Sequence, residues 1–317
     1  MAPTLPGGIW APTQAFFDEK TENLDLNTIA QHAVRLARAG CAGIVTNGSN
    51  GESVYLSPTE RALVTRTTRD ALDTAGFQNV PVMTGASDQS VRGTLSLIAE
   101  ARDSGASAVL LLTPSFFKWA MDRAAIEDYF LQVADKSVLP IFIYNYPAAV
   151  AGIDLDSELL TRLAQHANIV GTKFTCGNIG KLARVASSTD SMGYHCFSGV
   201  ADAITPALIV GGSGAIVGAA NVFPRMCVNV YRLYKEGRLE EARVAQQQLA
   251  LADWALTKRA IPGFKSILRH YYIYGGQPRS PMRALSPEGE KELFHEIEGF
   301  MHTEQALSDA TQPPNAS

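Results

Sequence analysis

The stretch Ile169-Val-Gly-Thr-Lys-Phe-Thr175 is a short, mostly apolar and β-branched run that follows the segment His166-Ala-Asn168. Runs of this kind are typical of strands that are buried on both faces of a parallel sheet. Seven more occur along the chain, each followed by a longer segment, so that the sequence predicts eight buried strands. The other seven are Gly8–Thr13, Gly43–Asn47, Val80–Ala86, Ala108–Pro114, Pro140–Tyr146, Tyr194–Val200 and Gly214–Ala220.

The segments between these runs carry the signals of helices. Ser57 is followed by Pro58 and Glu60, which is the pattern of a capping serine, a proline in the first turn and an acidic first turn. Eight strands that alternate with helices, without a break in composition, predict an α/β fold of the (β/α)8 TIM barrel type. A doubly wound sheet made of two Rossmann-like halves is the alternative. Other predicted helices are Thr28–Ala39, Ser90–Ser104 and Asp156–Gln165.

The pattern changes after the eighth strand. Two helices, Arg225–Glu236 and Leu239–Ala260, are predicted there, and Pro287–Glu304 is predicted as the last helix. Pro262, Gly275-Gly276, Pro278 and Pro281 interrupt the region between them. We therefore expect a barrel over residues 1–234, a C-terminal helical extension over 235–305 and a disordered tail over 306–317.

The composition excludes several classes of partner. Lys and Arg number 27 against 31 Asp and Glu, so there is no basic surplus for a nucleic-acid backbone. The uncharged stretch Ala203–Pro224 is broken by prolines and glycines, and predicts a buried helix and strand rather than a membrane span. The four cysteines are scattered, and residues 1–19 lack the pattern of a secretory signal. We expect a cytoplasmic protein without nucleic-acid or membrane partners.

Metal and hydrolase chemistry find no support in the motifs. The six histidines form no H-x-H or H-E-x-x-H pattern, and no G-x-S-x-G elbow is present. The glycines at Gly212–Gly218 precede a strand rather than open a helix, which argues against a nucleotide loop. The sequence therefore predicts neither a metal ion nor a cofactor.

In a barrel of this type, the side chains at the carboxyl ends of the strands meet at one mouth, where catalysis takes place. Alternation puts Lys173 on the same side of its strand as Gly171, and we expect that side to face the lumen. Removal from water favours the neutral amine, the form that attacks a ketone to give a Schiff base. The alternative is a lysine that protects a sheet edge. The other mouth positions include Thr13, Gly48–Glu52, Ser115–Phe117, Tyr144-Asn145, Ser198-Gly199 and Ile216–Gly218.

Two further mouth features suit the same chemistry. Tyr144 ends its strand on the side of Phe142, where its phenol could pass a proton between a lysine adduct and its substrate. An ordinary core tyrosine is the alternative. Gly48-Ser-Asn-Gly-Glu52 follows the second strand, and its glycines allow a tight turn with exposed N–H groups that suit a carboxylate. Such turns are common, so the loop alone is a weak signal.

These residues resemble those of the pyruvate-dependent class I aldolases, the family of dihydrodipicolinate synthase and N-acetylneuraminate lyase. The similarity runs from about Gly8 to Arg283. It implies Lys173 as the Schiff-base lysine, Tyr144 as the proton relay and Ser49, with Asn50, as the carboxylate site, and it implies a homotetramer. We add Thr13, Gly199, Ile216 and Phe116 as expected substrate contacts. The matching motifs are Gly48–Ser53, Tyr144–Pro147, Gly171–Thr175, Ser198-Gly199 and Gly214–Asn221.

Departures within the family bear on the substrate. Dihydrodipicolinate synthases usually have an arginine after the Tyr-Asn-x-Pro motif, whereas Pro147–Gly152 contains no cation, which disfavours a carboxylate clamp for their second substrate. Gly48–Glu52 looks like the loop of 4-hydroxy-2-oxoglutarate aldolases and of fungal 2-keto-3-deoxy-L-galactonate aldolases. Ala11–Asn23 and Gly85–Gly93 are also similar to the latter. We expect cleavage of a 2-keto-3-deoxy sugar acid to pyruvate and a hydroxyaldehyde.

One departure argues against full activity. Family members generally have a tyrosine where this chain has Phe116, and that tyrosine often reaches into a neighbouring subunit's site. The relay of hydroxyl groups is therefore incomplete. Three hypotheses follow: an active aldolase, a weakened barrel that binds a 2-oxo acid as a sensor, and a dehydratase or decarboxylating lyase that uses the same lysine adduct.

Overall fold

A computed structural model, which describes residues 5–310, contains the eight predicted strands as a closed parallel barrel in chain order. The first and last strands pair directly, with Gly8 opposite Gly214. The TIM barrel prediction is confirmed, and the doubly wound alternative is wrong because such a sheet stays open. The strands are β1 (Gly8–Pro12), β2 (Gly43–Thr46), β3 (Val82–Gly85), β4 (Ala108–Leu112), β5 (Ile141–Asn145), β6 (Ile169–Phe174), β7 (His195–Ser198) and β8 (Gly214–Ile216).

Helices separate the strands and continue after the barrel. The predicted Ser57 cap is present: its hydroxyl accepts the N–H of Glu60, whose carboxylate accepts the N–H of Ser57. The helices are α1 (Leu26–Arg38), α2 (Pro58–Thr74), α3 (Val91–Asp103), α4 (Arg123–Lys136), α5 (Ser157–Leu163), α6 (Ile179–Thr189), α7 (Ile204–Ile209), α8 (Pro224–Lys235), α9 (Leu239–Thr257), α10 (Ala260–Tyr272) and α11 (Pro287–Ala306).

Helix α10 was not predicted from the sequence. Pro262 was expected to interrupt this region, but it lies in the first turn of the helix that begins at Ala260. A proline in the first turn removes an N–H group that has no partner within the helix, so it costs little there. The predicted interruption at Pro262 was wrong, because a proline breaks a helix in its interior but is tolerated in its first turn.

Aromatic side chains fill the barrel lumen. Trp10, Phe142 and Phe197 are each fully buried there. Two glycines make room for them: a Cβ on Gly43 would lie 2.2 Å from the Trp10 ring, and one on Gly171 would lie 2.3 Å from the Phe142 ring. The lumen below the mouth is therefore packed solid, and a ligand must bind at the mouth.

The helices after the barrel share its hydrophobic core. Leu249 of α9, Ile267 of α10 and Ile297 of α11 belong to the same buried cluster as Ile9 and Ile44 of the strands. The boundary between residues 234 and 235 therefore stays a proposal. Of the predicted tail, Ala306 ends α11 and Asp309 pairs with Arg225, whereas residues 311–317 lie outside the described part of the chain.

None of the helices within residues 5–310 is both long and apolar enough to cross a bilayer.

Glu304 of α11 caps the N-terminus of α8. Its carboxylate accepts the N–H groups of Arg225 at 3.1 Å and Met226 at 2.9 Å. These groups have no partner within α8, whose own N-cap residue, Phe223, makes no side-chain cap. Burial raises the pKa of Glu304 from 4.5 to about 7, against the lowering effect of these hydrogen bonds.

This raised pKa predicts how stability depends on pH. The folded protein binds the Glu304 proton more tightly than the unfolded chain, so the contribution to stability is full below pH 4.5 and is lost as the pH rises to 7. The loss is about 3 kcal/mol. Glu304→Gln cannot ionise and escapes it, so its melting temperature should rise relative to wild type between pH 5 and 8. Thermal unfolding followed by circular dichroism checks this, and a constant difference between the two proteins would contradict it.

Candidate active site

Lys173 and Tyr144 meet at the mouth of the barrel. They lie opposite each other on the neighbouring strands β6 and β5, and their side chains are 3% and 4% exposed. Nζ of Lys173 lies 4.1 Å from the centre of the Tyr144 ring. The alternative of a sheet-edge lysine is wrong, because a closed barrel has no edge strand.

Lys173 differs from the other buried lysines in its surroundings. Lys181 is paired with Asp154, and Lys265 is paired with Glu52. Within residues 5–310, no carboxylate lies within ion-pair distance of Lys173. A carboxylate favours the charged ammonium form of a buried lysine. Lys173 is therefore the buried lysine of the described residues whose amino group is not engaged by a carboxylate.

The phenol of Tyr144 points to the loop after β2. Its oxygen lies 3.2 Å from Oγ of Ser49, and either group can donate the hydrogen bond. The ring stacks on Tyr146 with 5.5 Å between ring centres. The three residues predicted to share one site are therefore in contact in sequence from β6 through β5 to the loop after β2: Lys173, Tyr144 and Ser49.

The Gly48–Glu52 loop is tightly turned. The N–H groups of Gly51 and Glu52 donate to the carbonyls of Gly48 and Ser49. Among the hydrogen bonds of the described residues, none uses the backbone N–H of Ser49 or Asn50. The side chain of Asn50 accepts a hydrogen bond from Gln14 at 3.3 Å. Two free N–H groups beside a serine hydroxyl can bind a carboxylate.

Three of the expected substrate contacts line the mouth in different ways. Thr13 donates both its N–H and its hydroxyl to the carbonyl of Val45, so its hydroxyl proton is already in use. Ile216 is fully buried in the lumen cluster that also contains Tyr144. Gly199 is a position of close approach, because a Cβ there would lie 1.9 Å from Oγ1 of Thr175. These contacts with substrate stay predictions.

Phe116 is not brought to Lys173 by this chain. Its side chain is 78% exposed and meets the ring of Phe117 at 5.0 Å. Its N–H and that of Ser115 donate to the side chain of Gln89, which holds the loop after β4 in place. Phe116 is therefore exposed on the loop after β4, and its contact with substrate stays a prediction.

A family model described as "Dihydrodipicolinate synthetase family" matches residues 5–299. The chain belongs to this family. A relative from Hypocrea jecorina called L-threo-3-deoxy-hexylosonate aldolase is 50% identical and aligns with 96% of this chain and 99% of its own length. One of the same name from Aspergillus niger is 46% identical, with 96% and 98% aligned. A probable mitochondrial 4-hydroxy-2-oxoglutarate aldolase from Emericella nidulans is 45% identical, with 93% and 95% aligned.

Solved structures of family members have the same fold. A putative dihydrodipicolinate synthase family protein from Coccidioides immitis superposes with a TM-score of 0.87 at 32% identity, over 97% of this chain and 100% of that chain. A prophage protein of the family from E. coli K12, solved in complex with pyruvate, superposes with a TM-score of 0.85 at 27% identity, over 92% and 98% of the two chains.

Thr175 was not predicted as a site residue. Its Oγ1 is buried and has no hydrogen-bond partner among residues 5–310. Thr175 follows Lys173 by two positions, directly after the end of β6, so the alternation of the strand puts the two side chains on the same side. A buried hydroxyl without a partner is costly, which makes Thr175 a candidate contact for a bound ligand. Its place in the quoted motif Gly171–Thr175 was the signal that could have identified it.

A second missed feature joins the ends of β1 and β8. Asn221 donates to the carbonyls of Pro12 and Gly218, and its Oδ1 lies 2.8 Å from Nε2 of His32. Burial lowers the pKa of His32 to about 3, so its imidazole is neutral. Nε2 then donates to Asn221, and Nδ1 accepts from Tyr274 at 2.8 Å. This network fixes two strand ends beside the site, and no local motif predicts it.

The described residues contain no group of three His, Cys, Asp or Glu side chains that could hold a metal ion. Activity without a metal stays a prediction.

Proposed function

We propose that this chain is a class I aldolase that cleaves a 2-keto-3-deoxy sugar acid, of the 2-keto-3-deoxy-L-galactonate type, to pyruvate and a hydroxyaldehyde. The observation that carries the proposal is Lys173, a buried amine with no carboxylate partner in residues 5–310, next to a phenol that reaches Ser49. Two of the relatives quoted above are named as aldolases for a 3-deoxy six-carbon sugar acid of L-threo configuration.

In the proposed reaction, the Lys173 amine attacks the C2 ketone, water leaves and an imine forms. Loss of the proton from the C4 hydroxyl then breaks the C3–C4 bond, and its electrons pass to the imine nitrogen, which leaves an enamine. Protonation at C3 and hydrolysis of the imine release pyruvate and restore the amine. The atoms balance without a redox partner.

The other residues of the mouth fit defined roles in this sequence. Tyr144 lies near enough to Lys173 to take the C4 hydroxyl proton and return it at C3. The hydroxyl of Ser49 shares a hydrogen bond with the Tyr144 phenol and connects it to the loop after β2. The free N–H groups of Ser49 and Asn50 hold the C1 carboxylate. We propose Thr175, whose hydroxyl has no partner in the described structure, as a contact for the departing hydroxyaldehyde.

A second candidate substrate, 4-hydroxy-2-oxoglutarate, has one structural observation in its favour. The segment Pro147–Gly152 contains no cation of its own, but the ammonium of Lys118 comes within 3.6 Å of the point where a Cβ on Gly152 would lie. A lone ammonium there could attract the second carboxylate of this substrate. It cannot form the two parallel hydrogen bonds of an arginine clamp, so dihydrodipicolinate synthase activity remains the weaker alternative.

The substrate is tested by pyruvate release in a coupled assay. We expect the highest kcat/KM with 2-keto-3-deoxy-L-galactonate, and lower values with 4-hydroxy-2-oxoglutarate and 2-keto-3-deoxygluconate. A higher value with 4-hydroxy-2-oxoglutarate would move the assignment to the second candidate. Imine trapping without cleavage of any of the three would support the sensor hypothesis, which rests on the missing phenol at Phe116.

Assembly and location complete the proposal. We propose a homotetramer, supported by the exposed aromatic side chains of Phe116, Phe117 and Trp119 at the rim, since such patches mark contacts between proteins. We propose a cytoplasmic location from the four free cysteines, which suit a reducing compartment. The relative from Emericella nidulans is described as mitochondrial. Sedimentation velocity and a fluorescent fusion test the two statements.

A further inference from the structure

The loop that holds Ser49 and Asn50 is bounded by two residues in a left-handed backbone conformation. Asn47 has φ of +53° and Glu52 has φ of +52°. Neither is a glycine, so each conformation is strained and has to be held by other contacts. The Asn47 side chain donates to the Arg61 carbonyl and to the hydroxyls of Thr65 and Thr84. These contacts all come from the barrel itself.

Glu52 is held from outside the barrel. Its side chain is fully buried, and Oε1 lies 2.5 Å from the ammonium of Lys265, which is 1% exposed. Its other oxygen accepts the N–H of Arg279 at 2.8 Å. Lys265 belongs to α10 of the extension. Its side-chain nitrogen donates a hydrogen bond to the carbonyl of Gln277 at 2.9 Å and also lies over the ring of Phe17.

A buried ion pair of this kind is seldom the most stable solution. Desolvation of the two charges offsets most of their attraction, and an apolar pair of the same size is often equally stable. Burial lowers the pKa of Lys265, and the Glu52 carboxylate opposes that change. Stability alone therefore does not explain the pair. Its position offers another explanation, because the N–H of Glu52 donates to the carbonyl of Ser49 at 3.2 Å and so connects the pair to the loop.

We infer that Lys265 is a positioning residue for the carboxylate-binding loop. By holding Glu52 in its left-handed conformation, Lys265 fixes Ser49 and Asn50 relative to Tyr144, and α10 thereby sets the affinity of the mouth for a 2-oxo acid. The inference rests on the proposed function, because it assigns a carboxylate to this loop. Lys265 itself lies behind the loop and takes no part in the reaction.

The test uses the double variant Lys265→Met/Glu52→Gln, which removes both charges without leaving either buried alone. The amide oxygen introduced by Glu52→Gln can still accept the N–H of Arg279. The contact that is lost is therefore the one between Glu52 and Lys265 of α10. The matched control is Lys258→Met/Glu296→Gln, the same pair of substitutions in a lysine–glutamate contact between the end of α9 and α11. Each protein is titrated with pyruvate, trapped with borohydride and quantified by mass spectrometry at Lys173, and its melting temperature is measured.

The double variant should need about tenfold more pyruvate for half-saturation, which corresponds to ~1.4 kcal/mol. At saturating pyruvate, the trapped fraction should equal that of wild type, and the melting temperature should change little. The control should match wild type in pyruvate dependence. Wild-type half-saturation in the double variant would overturn the inference and leave Lys265 a purely structural residue. Absence of trapping in the wild type itself would overturn the proposed function, and the inference with it.

Discussion

Lys173→Ala should abolish imine formation and lower the rate of cleavage by roughly 10⁴–10⁶-fold, the range seen when a covalent nucleophile is removed. The substitution removes the amine that forms the adduct, and no second amine of the described residues lies beside Tyr144. Trapping with pyruvate and borohydride should label the peptide that contains Lys173 in the wild type and leave the variant unlabelled. Chelation with EDTA should leave wild-type activity unchanged, because the adduct takes the place of a metal as electron sink.

The protein contains its own controls for this experiment. Lys181 and Lys265 are as buried as Lys173, at 4% and 1% exposure, but each is paired with a carboxylate. Each of these amino groups is engaged by its carboxylate partner, so neither peptide should carry an adduct. Lys136→Ala, at the exposed end of α4, controls for the loss of a lysine as such. An adduct on Lys181 or Lys265, or wild-type turnover in Lys173→Ala, would contradict the mechanism.

The local part of this site could be predicted from the sequence because it depends on short-range periodicity. Alternation groups Lys173 with Gly171 and Tyr144 with Phe142 on common sides of their strands, and parallel strands bring their carboxyl ends together. The loop with Ser49 follows its strand directly, so its position at the mouth needs no further information. The same reasoning led to the barrel, whose strands have the continuous apolar character of a fully buried parallel sheet.

The supports of the site could not be predicted in this way, because they join residues far apart in the chain. Glu52 and Arg279 are 227 positions apart, and His32 and Tyr274 are 242 apart. No periodic pattern connects such positions, and a single sequence gives no information on which distant charges meet. The exposure of Phe116 likewise depends on how the loop after β4 is held by Gln89, which local residue types do not determine.

Tyr144→Phe should keep the fold and the imine but slow cleavage by about 10²–10⁴-fold, the usual contribution of a general acid–base. The substitution removes one oxygen from a side chain that is otherwise packed against Tyr146 and the lumen, so the ring should stay in place. The measurements are the extent of pyruvate trapping at Lys173 and the rate of pyruvate release under saturating substrate. A fall in turnover with trapping preserved would separate proton transfer from adduct formation.

The matched control distinguishes this role from that of a core tyrosine. Tyr129 is buried on the outer side of the barrel, where its hydroxyl bonds to Thr94 at 2.8 Å. Tyr129→Phe also removes one buried hydroxyl, so it should lower the melting temperature slightly and leave turnover at the wild-type level. If Tyr144→Phe behaved in the same way, Tyr144 would be a packing residue and the proton would have to travel through Ser49 or solvent. The phenol of Tyr144, however, meets Ser49 of the mouth loop rather than a helix behind the strands. Its hydrogen bond is made at the mouth of the barrel, and its removal should therefore be seen in the rate more than in the stability.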